Sequence, residues 1–390
     1  MPESPPPSLD HKYNDDLLAG ADDQEAFRLL FPDIFHVLDH PELRAEFAAY
    51  NQIANRAKKR VHAIGLVAVG LAAMALLSSA ATPILKAVED VPNLSPTALT
   101  SVRWLQAASI YLEVAGLVGA AIALGGVRIS YWKKQWLEAR LMTEKLRAWH
   151  FQTLAYRGKE VEESCDPNDP AAAAAAYREK RVKWFVAYLH QHRGKLDSQL
   201  QGLIEGPESQ YSALHELPSR YPADSGVARQ VFEAYKALRF KHQSDYAAHK
   251  LKKDTTQPLW KPHRWPTAVF KGRLDGLSSF CVVGALGTSA YVVLAHFWQW
   301  PLADSPAMPA VSLCFLVLSV TARGILDGLA VREESQRYVD YAAEVRYLLT
   351  RFESTKVQGE RLQLMQDMER AAIEELKGFI RAHYEAKFVI

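Results

Sequence analysis

Four long stretches of this chain carry almost no charge, and stretches of that length are stable in few environments. Between Arg60 and Lys86 there is no Asp, Glu, Lys or Arg, and the run reads VHAIGLVAVGLAAMALLSSAATPIL. Between Arg103 and Arg128 the only charge is Glu113, and the stretches from Asp275 to Asp304 and from Asp304 to Arg323 carry none. Each reaches the ~18 apolar residues of a candidate spanning helix. The apolar character runs all round these helices, whereas a helix on a soluble core keeps a polar stripe. The mean hydropathy of -0.14 and the net charge of +2 would suit a soluble protein only because the apolar residues are clustered and the rest is polar. The reading is an all-α integral membrane protein with four transmembrane helices in two hairpins, at about 61–82, 104–127, 277–298 and 307–328, and long cytoplasmic helical arms.

Basic residues set the orientation. Arg56, Lys58, Lys59 and Arg60 precede the first span, and Arg128, Lys133 and Lys134 follow the second. Lys261, Arg264, Lys271 and Arg273 precede the third, and Arg332 and Arg337 follow the fourth. The loop 299–307 has neither Lys nor Arg, and 86–103 balances Lys86 and Arg103 against Glu89 and Asp90. The positive-inside rule then places both termini and the central segment in the cytoplasm. Trp104, Trp132, Trp298 and Trp300 stand near span ends as interfacial anchors. Basic residues beside every span also suit contact with the lipid bilayer, although topology alone accounts for them.

The rest of the chain divides into a polar, Pro-rich tail at 1–22 expected to be disordered, a first helix–hairpin–helix unit at 23–156, a cytoplasmic helical connector at 157–224, and a second unit at 225–390. Helices are expected at about 23–60, 130–156, 173–204 and 225–253. From Arg332 to about Phe388, Tyr338, Tyr341, Val345, Leu348, Phe352, Leu362, Met365, Met368, Ala372, Leu376 and Phe379 recur at intervals of three and four. Asp169 is an expected N-cap with Pro170 at the first helical position, and the six alanines 171–176 start that helix.

The two halves repeat. A helix ending in a basic cluster precedes each hairpin (50–60 and 242–253). After each hairpin comes an aromatic-flanked helix, Trp136 to Phe151 and Tyr338 to Phe352.

No catalytic pattern emerges. There is no phosphate-binding Gly-rich loop, no Gly-x-Ser-x-Gly and no Cys-x-x-Cys, so the chain reads as a non-enzyme without a cofactor. Cys165, Cys281 and Cys314 have no partner at ligand spacing and read as small apolar fillers. His36 and His40 stand one turn apart ahead of Pro41, but with no third ligand nearby no metal site is assigned. Glu160, Glu162 and Glu163 read as a solvated loop. Lys250-Leu-Lys-Lys253 lies too close to the bilayer for a nucleic-acid patch. Within the spans, Glu113 lies about ten residues deep, where a lone carboxylate is expensive; it faces a polar cavity, a pore or a partner, or else sits near the outer interface or donates to a neighbouring helix as a neutral acid. Arg323 and Asp327, four apart on one helix face, either pair with each other or project into the interface. Gly65 and Gly70, Gly116 and Gly119, and Gly284 and Gly287 offer surfaces for close helix packing.

The run Tyr235-x-x-Leu238-Arg239-x-x-His242-Gln243-x-x-Tyr246, a basic end, a hairpin and then Ala343-Glu-Val-Arg-Tyr347 resemble the SLATT family of two-transmembrane effectors in bacterial conflict systems. Thr143-Glu-Lys-Leu-Arg147 matches more loosely in the first half. About 23–388 is covered if both halves count, and the duplication departs from the family's single hairpin. The resemblance implies an oligomeric pore-forming effector in the bacterial inner membrane, triggered by a soluble sensor protein or a nucleotide second messenger, that stops phage spread. Glu113, Arg323 and Asp327 are the expected pore or gating residues; Gln243, Tyr246, Glu344, Arg346, Glu144 and Arg147 are expected to couple the signal. The competing expectation is a non-conducting scaffold that presents a helical platform to a soluble partner. Single cysteines in 86–103 and 299–307 should label with an impermeant maleimide from outside intact cells, and labelling only after lysis would reverse the topology.

Overall fold

A computed structural model describes residues 15–91, 95–124, 127–205, 221, 225–253, 266–300 and 305–388. Among them the chain is helical throughout, with no strand. The helices are α1 (Ala21–Leu30), α2 (Phe35–Leu38), α3 (Pro41–Glu89), α4 (Pro96–Leu124), α5 (Val127–Tyr156), α6 (Gly158–Glu163), α7 (Pro170–Arg193) and α8 (Leu196–Glu205). They continue with α9 (Gly226–Tyr235), a π-helical turn (Lys236–Lys241), α10 (His242–Leu251), α11 (Thr267–Trp298), α12 (Ala307–Gly328), α13 (Val331–Ser354) and α14 (Gln358–Glu385). Three stretches are long and apolar enough to cross a membrane: one ending with α3, α11 and α12. The expected second span falls on α4, 29 residues long, and its end at 125–126 lies outside the described residues.

The chain separates into two compact units, each drawing on both sequence halves. Unit 1 comprises Met1–Arg56, Gln135–Leu251 and Gln336–Arg381. Its core gathers Phe27, Ile34, Leu38 and Leu43 with Met142, Leu146, Trp149 and Phe151 from α5, Tyr235 and Phe240, and Val345, Phe352, Met365 and Met368. The three-and-four rhythm read over α13 and α14 is the buried face, since Tyr338, Tyr341, Val345, Leu348 and Phe352 are all buried, as are Leu362, Met365, Met368, Leu376 and Phe379. Burial of each large side chain contributes roughly 1.5–3 kcal/mol.

Several expectations change here. The tail does not extend over 15–22: Asp15–Leu17 form a 3-10 turn, and Asp16, Leu17 and Leu18 are buried. Two leucines supply the apolar anchor that the residues before them lack. The single helix expected at about 23–60 is broken between α1 and α3, because Pro32 and Pro41 cannot continue an upstream helix; Pro41 instead opens α3. His36 and His40 straddle that break rather than sharing a helix face. The acidic segment expected as a loop is helix α6, with Glu160 beside Arg157 and Glu162 accepting from Ser225 Oγ at 2.5 Å.

Unit 2 comprises Ala57–Lys134, Lys252–Ser335 and Ala382–Ile390. In it α11 and α12 pack along their length. Ser278 Oγ meets Ser319 Oγ at 2.9 Å, Ser289 Oγ meets Ser312 Oγ at 2.9 Å, and Ser312 Oγ also donates to Ala285 O at 3.0 Å. Hydroxyls of this kind join apolar helices where burial gives little drive. On the other hairpin, a methyl at Gly116 would collide with Ala75 and one at Gly119 with Leu71, so α4 approaches α3 as closely as glycine allows. Arg103 Nε and Gln106 Nε2 both donate to the Glu89 carboxylate at 3.2 Å.

Asp169 caps α7 as expected, its Oδ1 accepting from the Ala172 amide at 3.1 Å with Pro170 following. Asp169→Ala should remove about 1 kcal/mol of local helix stability. Hydrogen exchange should then quicken at the amides of 171–176 and stay unchanged in α13.

Candidate functional site

In unit 1 the most distinctive chemistry is a set of buried charges around α5 and the π turn. Lys236–Lys241 winds with one residue too many for an α-helix, a feature often found where a helix must re-aim a side chain. Arg239 sits in that turn and is buried. Its Nε donates to Glu369 Oε1 at 2.9 Å and its Nη2 to Oε2 at 3.0 Å, a two-pronged pair to a buried carboxylate on α14. Tyr235, also buried, donates its hydroxyl to the same Oε1 at 2.6 Å. The Arg239 guanidinium lies 4.8 Å over the Phe151 ring.

The residues of the Tyr235–Tyr246 motif continue this line. Tyr341 OH donates to Gln243 Oε1 at 3.2 Å, and the Tyr246 and Tyr338 hydroxyls meet at 3.1 Å. Tyr235, Arg239, Gln243 and Tyr246 thus each meet a partner on α13 or α14.

A second cluster is built on α5. Arg147 is buried, with its Nε 2.6 Å from Oδ2 of fully buried Asp16 and its Nη1 donating to Glu144. Arg140 Nη2 meets Glu144 Oε1 at 2.5 Å. Burial opposes charge on Glu144, but the Arg140 and Arg147 guanidiniums outweigh it and hold the carboxyl at about 2. Arg239 acts on Glu144 and Arg147 through space, so the two clusters share one field.

Beside them lie histidines kept neutral. His150 is lowered to about 3 by burial, with Arg181 next in effect, and His36 to about 4 by burial with Arg178 and Arg181. His36 Nε2 is 2.8 Å from Ser164 Oγ. His40, packed against Trp149 and Phe185, is pushed far below the imidazole range by burial. Arg181 donates to the carbonyls of His36, Val37 and Asp39 at 2.9–3.1 Å, bracing the break before α3. Lys145, lowered to about 8 by burial, donates to Gln199 Oε1 at 2.8 Å. No group of three or more His, Cys, Asp or Glu is placed to hold a metal among the described residues. What the arrangement offers is a store of paired, desolvated charge.

The expected coupling residues divide. Glu144, Arg147, Gln243 and Tyr246 lie in this network, whereas Glu344 and Arg346 are exposed on α13, off its buried face. Asp16, Arg239 and Glu369 were missed as site residues. Arg239 stood inside the motif; Asp16 stood in a segment whose polarity masked it. In unit 2, Glu113 is half-buried on α4, and among the described residues no hydrogen bond or ion pair reaches it. Arg323 and Asp327 are both exposed on α12. Arg323 Nε donates to Ser278 Oγ at 3.2 Å, so the pairing weighed between the two charges gives way to a hydroxyl on the neighbouring helix.

Two outcomes test the network. Arg239→Met should destabilise unit 1 by about 3–5 kcal/mol, because Glu369 is left charged and buried, and adding Glu369→Leu should recover most of that loss. Chemical denaturation of the purified chain reads both variants. For pH, the folded imidazoles of His36 and His150 sit below their ordinary 6.5, so unfolding takes up protons. Their contribution is complete above pH 6.5 and is lost as pH falls from 6.5 towards 4. The melting temperature should drop across that window; a level profile there would mean that these rings are not neutral in the fold. Comparison with protein-family models, curated proteins and solved structures finds no significant match.

Proposed function

We propose that this chain is a bacterial inner-membrane effector of an antiphage conflict system, acting as a gated homo-oligomeric pore with both termini in the cytoplasm. In this reading the α3–α4 and α11–α12 hairpins span the bilayer, and the charge network of unit 1 keeps them shut. A soluble sensor protein or a nucleotide second messenger releases them. Three helices long and apolar enough to cross a membrane support the membrane part, together with their outward apolar residues such as Phe280, Val283, Leu286 and Phe297.

The observation that carries the pore is Glu113. It stands near the middle of α4, half-exposed, with no partner among the described residues. Facing lipid there, a carboxylate costs roughly 2.5–3.5 kcal/mol on insertion scales, so a second copy or a water-filled path is its better environment. Coupling has a covalent route, since α3, α5, α13 and α14 each contribute residues to both units.

Expression of the full chain in bacteria, with a potential-sensitive dye, tests this. Depolarisation should follow the trigger, and Glu113→Gln should change the current or the toxicity several-fold at equal membrane abundance. A normal potential under all conditions, with stable insertion, would favour the scaffold reading.

A further inference from the structure

Residues 382–388 are tied into unit 2. Lys133 Nζ donates to the carbonyls of Tyr384 at 2.8 Å and Ala386 at 2.7 Å, satisfying acceptors that the end of α14 leaves open. Burial, with Lys387 adding to it, lowers Lys133 to about 8. His383, buried, sets its Nε2 3.3 Å from Glu334 Oε1 at the start of α13. Two residues beyond Ala386, Phe388 enters a notch made by two glycines. One edge of its ring (Cδ2, Cε2) faces Gly65 of α3, and the opposite edge (Cδ1, Cε1) faces Gly328 at the end of α12. A methyl on either glycine would overlap the ring. Gly65 belongs to the first expected span and Gly328 to the fourth, so a single side chain joins both hairpins of the repeat.

We infer that residues 382–388 form a latch, with Phe388 seated between Gly65 and Gly328, that ties the two hairpins together and must withdraw before they can move apart. The seat is specific in shape, since both walls are bare backbone where any larger residue would expel the ring. The hold is also local. Its described contacts include the Phe388 ring between the two glycines, Lys133 on the carbonyls of Tyr384 and Ala386, and the His383–Glu334 pair. Withdrawal as the opening step rests on the pore reading above; the latch itself does not.

The full-length chain in lipid nanodiscs provides the test, by hydrogen exchange. Phe388→Ala should speed exchange at least tenfold at the amides of 383–388 and of 326–334. Gly65→Leu, which fills the seat while leaving the ring on the chain, should free 383–388 to the same extent. Unchanged exchange in both variants would overturn the latch. In cells, Phe388→Ala should depolarise the membrane without the trigger. Faster exchange with a normal potential would support the latch and count instead against the conducting reading.

Discussion

The pair between Arg239 and Glu369 is the interaction on which unit 1 depends. Two charges removed from water are tolerated only if each meets the other in good geometry and the remaining polar atoms are occupied. Here the carboxylate accepts from both guanidinium nitrogens and from Tyr235, and Phe151 covers the guanidinium face. That requirement fixes the register of the π turn against α14. Once it is fixed, the Gln243–Tyr341 and Tyr246–Tyr338 contacts follow one helical turn after another. An apolar core of the same size would be at least as stable but would hold its helices in register less strictly. A buried charge network has few acceptable arrangements.

The two clusters reinforce that strictness. Arg147 is shared between Asp16 and Glu144, and the field of Arg239 reaches both Glu144 and Arg147. Altering one charge therefore shifts the balance at the others. Asp16 is the member least tied by secondary structure, for it lies in a short 3-10 turn followed by Leu18 in the left-handed region at φ 55°. A leucine there is strained, and the burial of Leu17 and Leu18, the Asp16–Arg147 pair and a hydrogen bond from Gln24 Nε2 to Leu18 O at 2.9 Å hold it.

How much of this was legible in the sequence follows from the physics of each element. Long uncharged runs and three-and-four periodicity depend on local order alone, so the helices α11 to α14 and the cap at Asp169 could be read directly. The Tyr235–Tyr246 motif was visible as spacing, and its residues do line one interface. Spacing assumed an α-helix, however, and the π turn that aims Arg239 at Glu369 is decided by a partner 130 residues away. Asp16 was hidden for the same reason: a polar tail and a polar segment awaiting a buried arginine look alike until the arginine is in place. Glu344 and Arg346 resemble Glu144 and Arg147 in composition but lie on the exposed face of α13, because burial depends on which face of that helix is turned inward.

In the membrane reading proposed above, position separates the three charges on the apolar helices. Asp327 is one residue from the end of α12 and Arg323 only four further in, so both can reach the interface by extending their side chains, and Arg323 has the Ser278 hydroxyl besides. Neither demands a partner strongly. Glu113 stands well inside α4, too short to extend to either surface, and lies on a helix pressed so closely to α3 that glycine lines the contact. Among the described residues no hydrogen bond or ion pair meets its carboxylate. In the pore proposed above, Glu113 is the one of the three charges for which an assembly around a polar path would supply partners.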